Sequence, residues 1–451
     1  MAITRTVRAL SSTALTGALI LAAAPAASAD QTRRDQWALG TLQAESAWAV
    51  SKGKDVTVAV IDSGVNAEHV DLKSNVLKGK DFVDGDDDAS PDASEDKPTH
   101  GTEMAAIIAG HGHGSGDADG VMGLAPEAKI LPIRANIEGS SGFADEIRYA
   151  VDRGASVINI SMYIQDPRYK IGGPPEDLEA ISYALKHDVL IVAGTANDGV
   201  RKVGFPADAP GVLAVGGVNQ SGTIWEKSNY GPEVLLTAPA TRIVSAGWPG
   251  NKLRISDGTS DSTAFVSAAA ALLRSKFPDL TAGQIANRLV KTAVLPDSAK
   301  GISLPDEKYG YGTIRPLAAL TEEIPAGSKL GPLKDPNSAT ESSAPTSSAG
   351  NSDSDSAAEQ EKADQKQMLF FVVLGVVALV VIGLIVLLIV KLSRRNKNNN
   401  GGPGGPASYP QYGQQPFPPQ QNPYQQSASP QQQNPYQQQS TPPQGQWPPQ
   451  Q

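Results

Sequence analysis

Five apolar runs stand out in the N-terminal half of the chain: "DVTVAVID" (55–62), "KILPIRA" (129–135), "SVINISM" (156–162), "VLIVAGT" (189–195) and "VLAVGGV" (212–218). They are near-continuous rather than alternating, which suits parallel strands buried on both faces. Segments with helical spacing lie between them, including 143–153 and 178–187. Farther on, Thr281 precedes "AGQIANRLVKTA" and predicts an N-cap. This alternation predicts an α/β domain with a mostly parallel central sheet flanked by helices. One run differs. "GTSDSTAFVSAAAALL" (258–273) starts as a turn and carries no charge after Asp261, so it reads as a buried helix with Ser260 and Ser262 at its mouth. N-capping alone would account for such serines.

Two further apolar runs lie outside the domain. Residues 1–29 read as a signal peptide, with Arg5 and Arg8, a short apolar stretch and small residues at Ala27 and Ala29. Met368–Val390 is 23 residues long without a charge, long enough for a transmembrane helix. Lys391, Arg394, Arg395 and Lys397 follow it, and such an excess marks the cytoplasmic side. The predicted order is therefore signal peptide 1–29, a short extension 30–38, the domain 39–321, a disordered linker 322–367, one transmembrane helix 368–390, and a cytoplasmic Pro/Gln-rich tail 391–451. This places the domain outside the cell membrane. The tail repeats "QQNPYQQ" at 420–426 and 432–438 and reads as a solvated low-complexity segment or an interaction tail.

Composition narrows the chemistry. With no cysteine in 451 residues, the domain must be held by its core. A net charge of −9 argues against a nucleic-acid binder. "DFVDGDDDASPDASEDKPTH" (81–100) holds eight acidic residues. A structural calcium site is one reading, since hard cations take oxygen ligands; a solvated acidic loop is the plainer one. "HGHG" (111–114) offers two histidines without an evident third ligand. No cofactor or metal is assigned.

Three polar groups fall at element ends in the order Asp, His, Ser. Asp62 closes the strand "VAVID", His100 heads "HGTEMAAIIAG", and Ser260 heads the buried helix. A serine hydroxyl needs a base to become a nucleophile. A histidine has the pKa for that task, and an aspartate can orient and stabilise the imidazolium.

These blocks resemble the subtilisin-like serine peptidases. Asp62, His100 and Ser260 match the family's catalytic blocks, and "IVAGTANDG" (191–199) matches the block that supplies an oxyanion-hole Asn, here Asn197. "VMGLAPEAKILPIRA" (121–135), "KSNYGP" (227–232), "LLTAPA" (235–240) and "GYGTIRPLAAL" (310–320) agree in order. The resemblance implies substrate-flanking strands at "GSSGF" (139–143), with Gly142, and at Ser161, Met162 and Tyr163. The sequence departs from the family at Ala196, where Gly is usual, at Met162 and Tyr163, and at Ser262 and Ala264 after the nucleophile. The whole order of segments looks like the mycosins, membrane-anchored proteases associated with type VII secretion in actinobacteria. The short extension leaves no room for the prodomain of many secreted subtilisins. This implies an endopeptidase acting on protein or peptide substrates, bound to the membrane and associated with a type VII secretion complex. The alternative is a mainly structural subunit of that complex.

Overall fold

A computed structural model describes residues 31–94, 96–135, 142–164 and 173–336. The predicted signal peptide, the transmembrane run 368–390, the tail and most of the predicted linker lie outside these residues. No helix among the described residues is long and apolar enough to cross a membrane.

The strands are β1 (Thr57–Asp62), β2 (Lys80–Asp81), β3 (His111–His113), β4 (Asp119–Met122), β5 (Lys129–Arg134), β6 (Val157–Ile160), β7 (Leu190–Gly194), β8 (Leu213–Val218), β9 (Val234–Pro239), β10 (Ile243–Ala246) and β11 (Leu253–Ser256). Seven of them form one sheet in the order β2-β5-β1-β6-β7-β8-β9, and every pairing in it is parallel. β10 pairs with β11, and β3 with β4, as separate antiparallel ribbons.

The helices are α1 (Gln31–Asp35), α2 (Trp37–Thr41), α3 (Ala44–Trp48), α4 (His100–Ala109), α5 (Ala144–Asp152), α6 (Pro175–Lys186), α7 (Thr259–Lys276), α8 (Ala282–Thr292) and α9 (Pro316–Thr321). The apolar runs are continuous because both faces of the sheet are covered. Along β1, Val58 and Val60 point into the core shared with α4, α7 and α8, while Ala59 and Ile61 point into the core shared with α5 and α6. The alternation of side chains along a strand thus feeds two cores at once. The small residues of α7 let it lie almost wholly buried under the sheet; from Thr259 to Arg274 only Ser260 escapes burial. Thr281 caps α8 as expected and forms a full capping box with Gln284.

The chain leaves the domain later than Glu322. Arg288, on α8, donates to the carbonyls of Ala319, Glu322 and Ile324. Thr281 Oγ1 donates to Lys329 O, and Leu333 is buried. Residues 322–331, expected to be linker, therefore pack on α8, and Leu333 joins the core. The extension before Leu39 is also tied down, through Gln36 to Met122 and Trp37 to Thr241 O.

β1 is where the sheet order reverses. β5 lies on one side of it and β6 on the other. In open α/β sheets the crevice at the carboxyl ends of strands beside such a reversal is where ligands bind. Asp62 ends β1 at that place.

Candidate active site

Asp62 is fully buried, and its carboxylate is held from two sides. Ser63 N–H donates to Oδ1 at 2.8 Å. His100 Nδ1 lies 2.8 Å from Oδ1 and 2.9 Å from Oδ2. His100 reaches it because α4 begins directly against the end of β1. Gly101 permits that approach: a Cβ there would stand 2.3 Å from Gly64 O and 3.1 Å from Asp62 Cβ. Ser63 Oγ, which accepts from Gly101 N–H at 3.1 Å, ties the two element ends together.

The imidazole is 20% exposed and faces a cleft of about 580 Å³. Burial pulls its pKa down, but the charge and hydrogen bond of Asp62, with the charges of Glu103 and Asp261, outweigh this and push it up to about 9.

Ser260 lines the same cleft at the head of α7. Its hydroxyl donates to Ser161 O at 3.1 Å, and Ser161 Oγ donates back to Ser260 O at 3.2 Å. His100 lines the same cleft; catalytic hydrogen bonds often close only with substrate in place. Ser262 differs from its neighbour. It is fully buried, and its hydroxyl lies 2.9 Å from Ala238 O and 3.0 Å from Pro239 O.

Asn197 is in the cleft, oriented through its oxygen. Oδ1 accepts from Thr259 N–H at 2.9 Å and Thr259 Oγ1 at 3.0 Å. This leaves the amide NH2 of Asn197 to serve the cleft, on which Ser260 at the head of α7 also lies. The residue before it, Ala196, has φ 83°, a left-handed conformation that a side chain rarely adopts. Asn229 holds this loop: its Oδ1 accepts from Asp198 and Val200 N–H, and its Nδ2 donates to Lys202 O. The motif "KSNYGP" matched without revealing this role, because a side chain that ties loop carbonyls and amides has no periodicity.

Ser161, Met162 and Tyr163 line one wall of the cleft, with the Tyr163 side chain lying over Gly204. Ser161 is held by a buried chain of hydrogen bonds, Ser267 Oγ to Asn159 Oδ1 and Asn159 Nδ2 to Ser161 Oγ. Gly142 is not among the described residues lining the cleft. It sits before α5 against the Asp177 carboxylate, which accepts from Phe143 N–H at 2.7 Å; the rest of "GSSGF" up to residue 141 lies outside the described residues. Burial pushes Asp177 up to about 7.

Thr99, Glu103, Trp248, Arg254, Ser256 and Asp261 also line the cleft; Glu103 meets Arg254, Ser256 meets Asp261, and Thr99 meets Trp248.

The acidic segment 81–100 is tied to the sheet through ion pairs. Arg134, at the end of β5, is 5% exposed and pairs with Asp81 at 2.5 Å, Asp84 at 2.8 Å and Asp92 at 3.5 Å. Three of the eight acidic residues thus face one guanidinium. No group of three or more His, Asp or Glu side chains among the described residues is arranged to hold a metal. At "HGHG", His113 Nδ1 lies 2.6 Å from buried Asp71, whereas both His111 nitrogens face backbone carbonyls.

Comparison with known proteins shows the family. The model of the subtilase family (Peptidase_S8) matches residues 53–312. A thermophilic serine proteinase of Bacillus sp. (strain AK1) is 35% identical over 280 residues, covering 61% of this chain and 64% of the relative; the chain thus spans just under two thirds of that protein. Mycosin-1 of Mycolicibacterium smegmatis is 32% identical over 355 residues, covering 66% of this chain and 75% of the relative. Among solved structures, MycP1 from the ESX-1 type VII secretion system superposes with a TM-score of 0.54 at 32% identity, over 66% of this chain and 89% of that one.

Proposed function

Because the chain belongs to the subtilase family of serine proteases, we propose that it is a membrane-anchored, extracytoplasmic endopeptidase that hydrolyses peptide bonds through Asp62, His100 and Ser260. The observation that carries this reading is the buried Asp62 carboxylate held against His100 Nδ1, with Ser260 on the same cleft.

In this mechanism Ser260 Oγ turns from Ser161 O to His100 Nε2 and attacks the substrate carbonyl. His100 takes the hydroxyl proton as the Oγ–C bond forms. Asp62 holds the imidazole in the tautomer that leaves Nε2 free to accept, and stabilises the imidazolium. Asn197 Nδ2 and the Ser260 N–H donate to the developing oxyanion. The C–N bond then breaks, and His100 gives its proton to the leaving amine. Water, deprotonated by His100, releases the acyl group by the reverse sequence.

A serine-directed fluorophosphonate tests it. It should label wild type and Ser262→Ala, and fail on Ser260→Ala and His100→Ala. Labelling that persists in Ser260→Ala would refute the assignment.

The run Met368–Val390 supports a single membrane anchor, and the basic residues after it support a cytoplasmic tail. The likeness to Mycosin-1, and to a protease whose structure comes from a type VII secretion system, supports substrates among proteins exported by such a system. Mass spectrometry of exported proteins from wild-type and Ser260→Ala cells tests this; identical termini in both would remove it.

A further inference from the structure

Asp261 follows the nucleophile, and nothing in the reaction just described requires a carboxylate there. Its side chain is 1% exposed yet borders the cleft. Oδ1 accepts from Ser256 Oγ at 2.9 Å, while Oδ2 accepts no hydrogen bond from any described residue. With Asp261 lining the cleft, that oxygen is available to a donor that enters it.

Its surroundings define what that is. From α4, His100 and Glu103 face it; from β11 and the turn after it come Arg254, Ser256 and Asp257. Arg254 is already engaged by Glu103 at 3.3 Å and does not neutralise Asp261. Burial pushes Asp261 up to about 8; the Ser256 hydrogen bond opposes this, Glu103 adds to it, His100 opposes and Asp257 adds. A cation brought into the cleft would supply the missing counter-charge.

The direction follows from the mechanism. Ser161, Met162 and Tyr163 line one wall, and Asn197 marks the oxyanion. His100 must hand its proton to the leaving amine, so the leaving chain departs along the wall that carries His100, Glu103 and Asp261.

We propose that Asp261 is a specificity determinant that selects a cationic side chain, lysine or arginine, on the leaving-group side of the scissile bond. The proposal rests on the protease reading and adds a substrate class to it.

The test uses the detergent-solubilised full chain and fluorogenic peptides that differ only at the two positions after the cut, carrying lysine, arginine, norleucine or glutamate. A charge-assisted hydrogen bond favours lysine over norleucine by about 10- to 100-fold in kcat/KM. Asp261→Asn should bring that ratio close to one. Any effect of Asp261 on His100 cancels in the ratio, because all peptides share the same base. Asp257→Asn, at an exposed neighbour, should keep the preference. A wild-type ratio near one overturns the proposal, as does a preference that survives Asp261→Asn or disappears only in Asp257→Asn. Fluorophosphonate labelling of the same samples separates the two failures. Unlabelled wild-type Ser260 sinks the protease reading itself, whereas labelled enzyme without the preference sinks only the role of Asp261.

Discussion

Gly101→Ala tests the link from packing to chemistry. The new Cβ would stand 2.3 Å from Gly64 O. Ordinary carbon–oxygen contact begins near about 3.3 Å, so relief requires a displacement of about 1 Å. Both close neighbours, Gly64 O and Asp62 Cβ, are fixed by the backbone at the end of β1, so no rotamer absorbs the clash and the head of α4 must move. His100 is the adjacent residue and moves with it. Its 2.8 Å bond to Asp62 would lengthen by about 1 Å, beyond the range of a hydrogen bond. A misplacement of that size in a catalytic group costs about 100-fold in rate. The assay is kcat/KM on a chromogenic peptide together with the rate of fluorophosphonate labelling, with a thermal melt on each sample. Gly40→Ala is the control, since its Cβ meets nothing within 4 Å. The expected result is a loss of about 100-fold for Gly101→Ala and none for Gly40→Ala. Gly101→Ala with a native melt and wild-type kcat/KM would show that the contact between α4 and β1 does not place the base.

Four other outcomes follow from the same geometry. His100 acts as a base only when neutral, so kcat/KM should climb as pH rises toward about 9; a profile already flat by neutral pH removes that reading. The same raised value stabilises the fold fully below about 6.5 and loses that contribution as pH rises through about 9, so His100→Ala should flatten denaturation midpoints across that window. Ala196→Gly relieves a left-handed alanine worth about 1–2 kcal/mol against a glycine entropy cost of about 0.5–1 kcal/mol; urea unfolding should show a small net gain, and a clear loss would mean that the φ of 83° carries no strain. Arg134→Gln leaves Asp81 buried without its partner and should cost about 3–5 kcal/mol in urea unfolding; a loss within experimental error would reassign the acidic segment to solvent.

What could be read in the sequence was whatever is local or periodic. The strands on both sides of β1 announce themselves as apolar runs because two cores cover them. The Thr281 cap announces itself because its partner, Gln284, is three residues away. Asp62, His100 and Ser260 were visible as polar residues at element ends, and the topology explains why those ends meet: two are the first turns of buried helices and the third closes the strand at which the sheet order reverses. Contacts that cross the sequence were not visible. Asn229 reaches back 31 residues to Asp198, and Asn159 meets Ser267 across 108. The residues 322–336 look like linker by composition, yet Arg288 spends its donors on their carbonyls, a use of backbone that no composition reveals.

The acidic segment shows how such a contact changes the meaning of a motif. By composition it is a solvated loop or a cation site, because eight acidic residues in 81–100 repel one another. Arg134 sits at the end of β5, two strands' width from the segment's start in sequence terms but beside it in the sheet, since β2 pairs with β5 at Asp81 and Arg134. Once that register is set, a buried guanidinium faces Asp81, Asp84 and Asp92 together. The same loop continues through Asp96, Lys97, Pro98 and Thr99 on the cleft rim, where Thr99 Oγ1 accepts from Trp248 N–H at 3.0 Å. The segment is thus tied to β5 near its start through Arg134 and to Trp248 near its end.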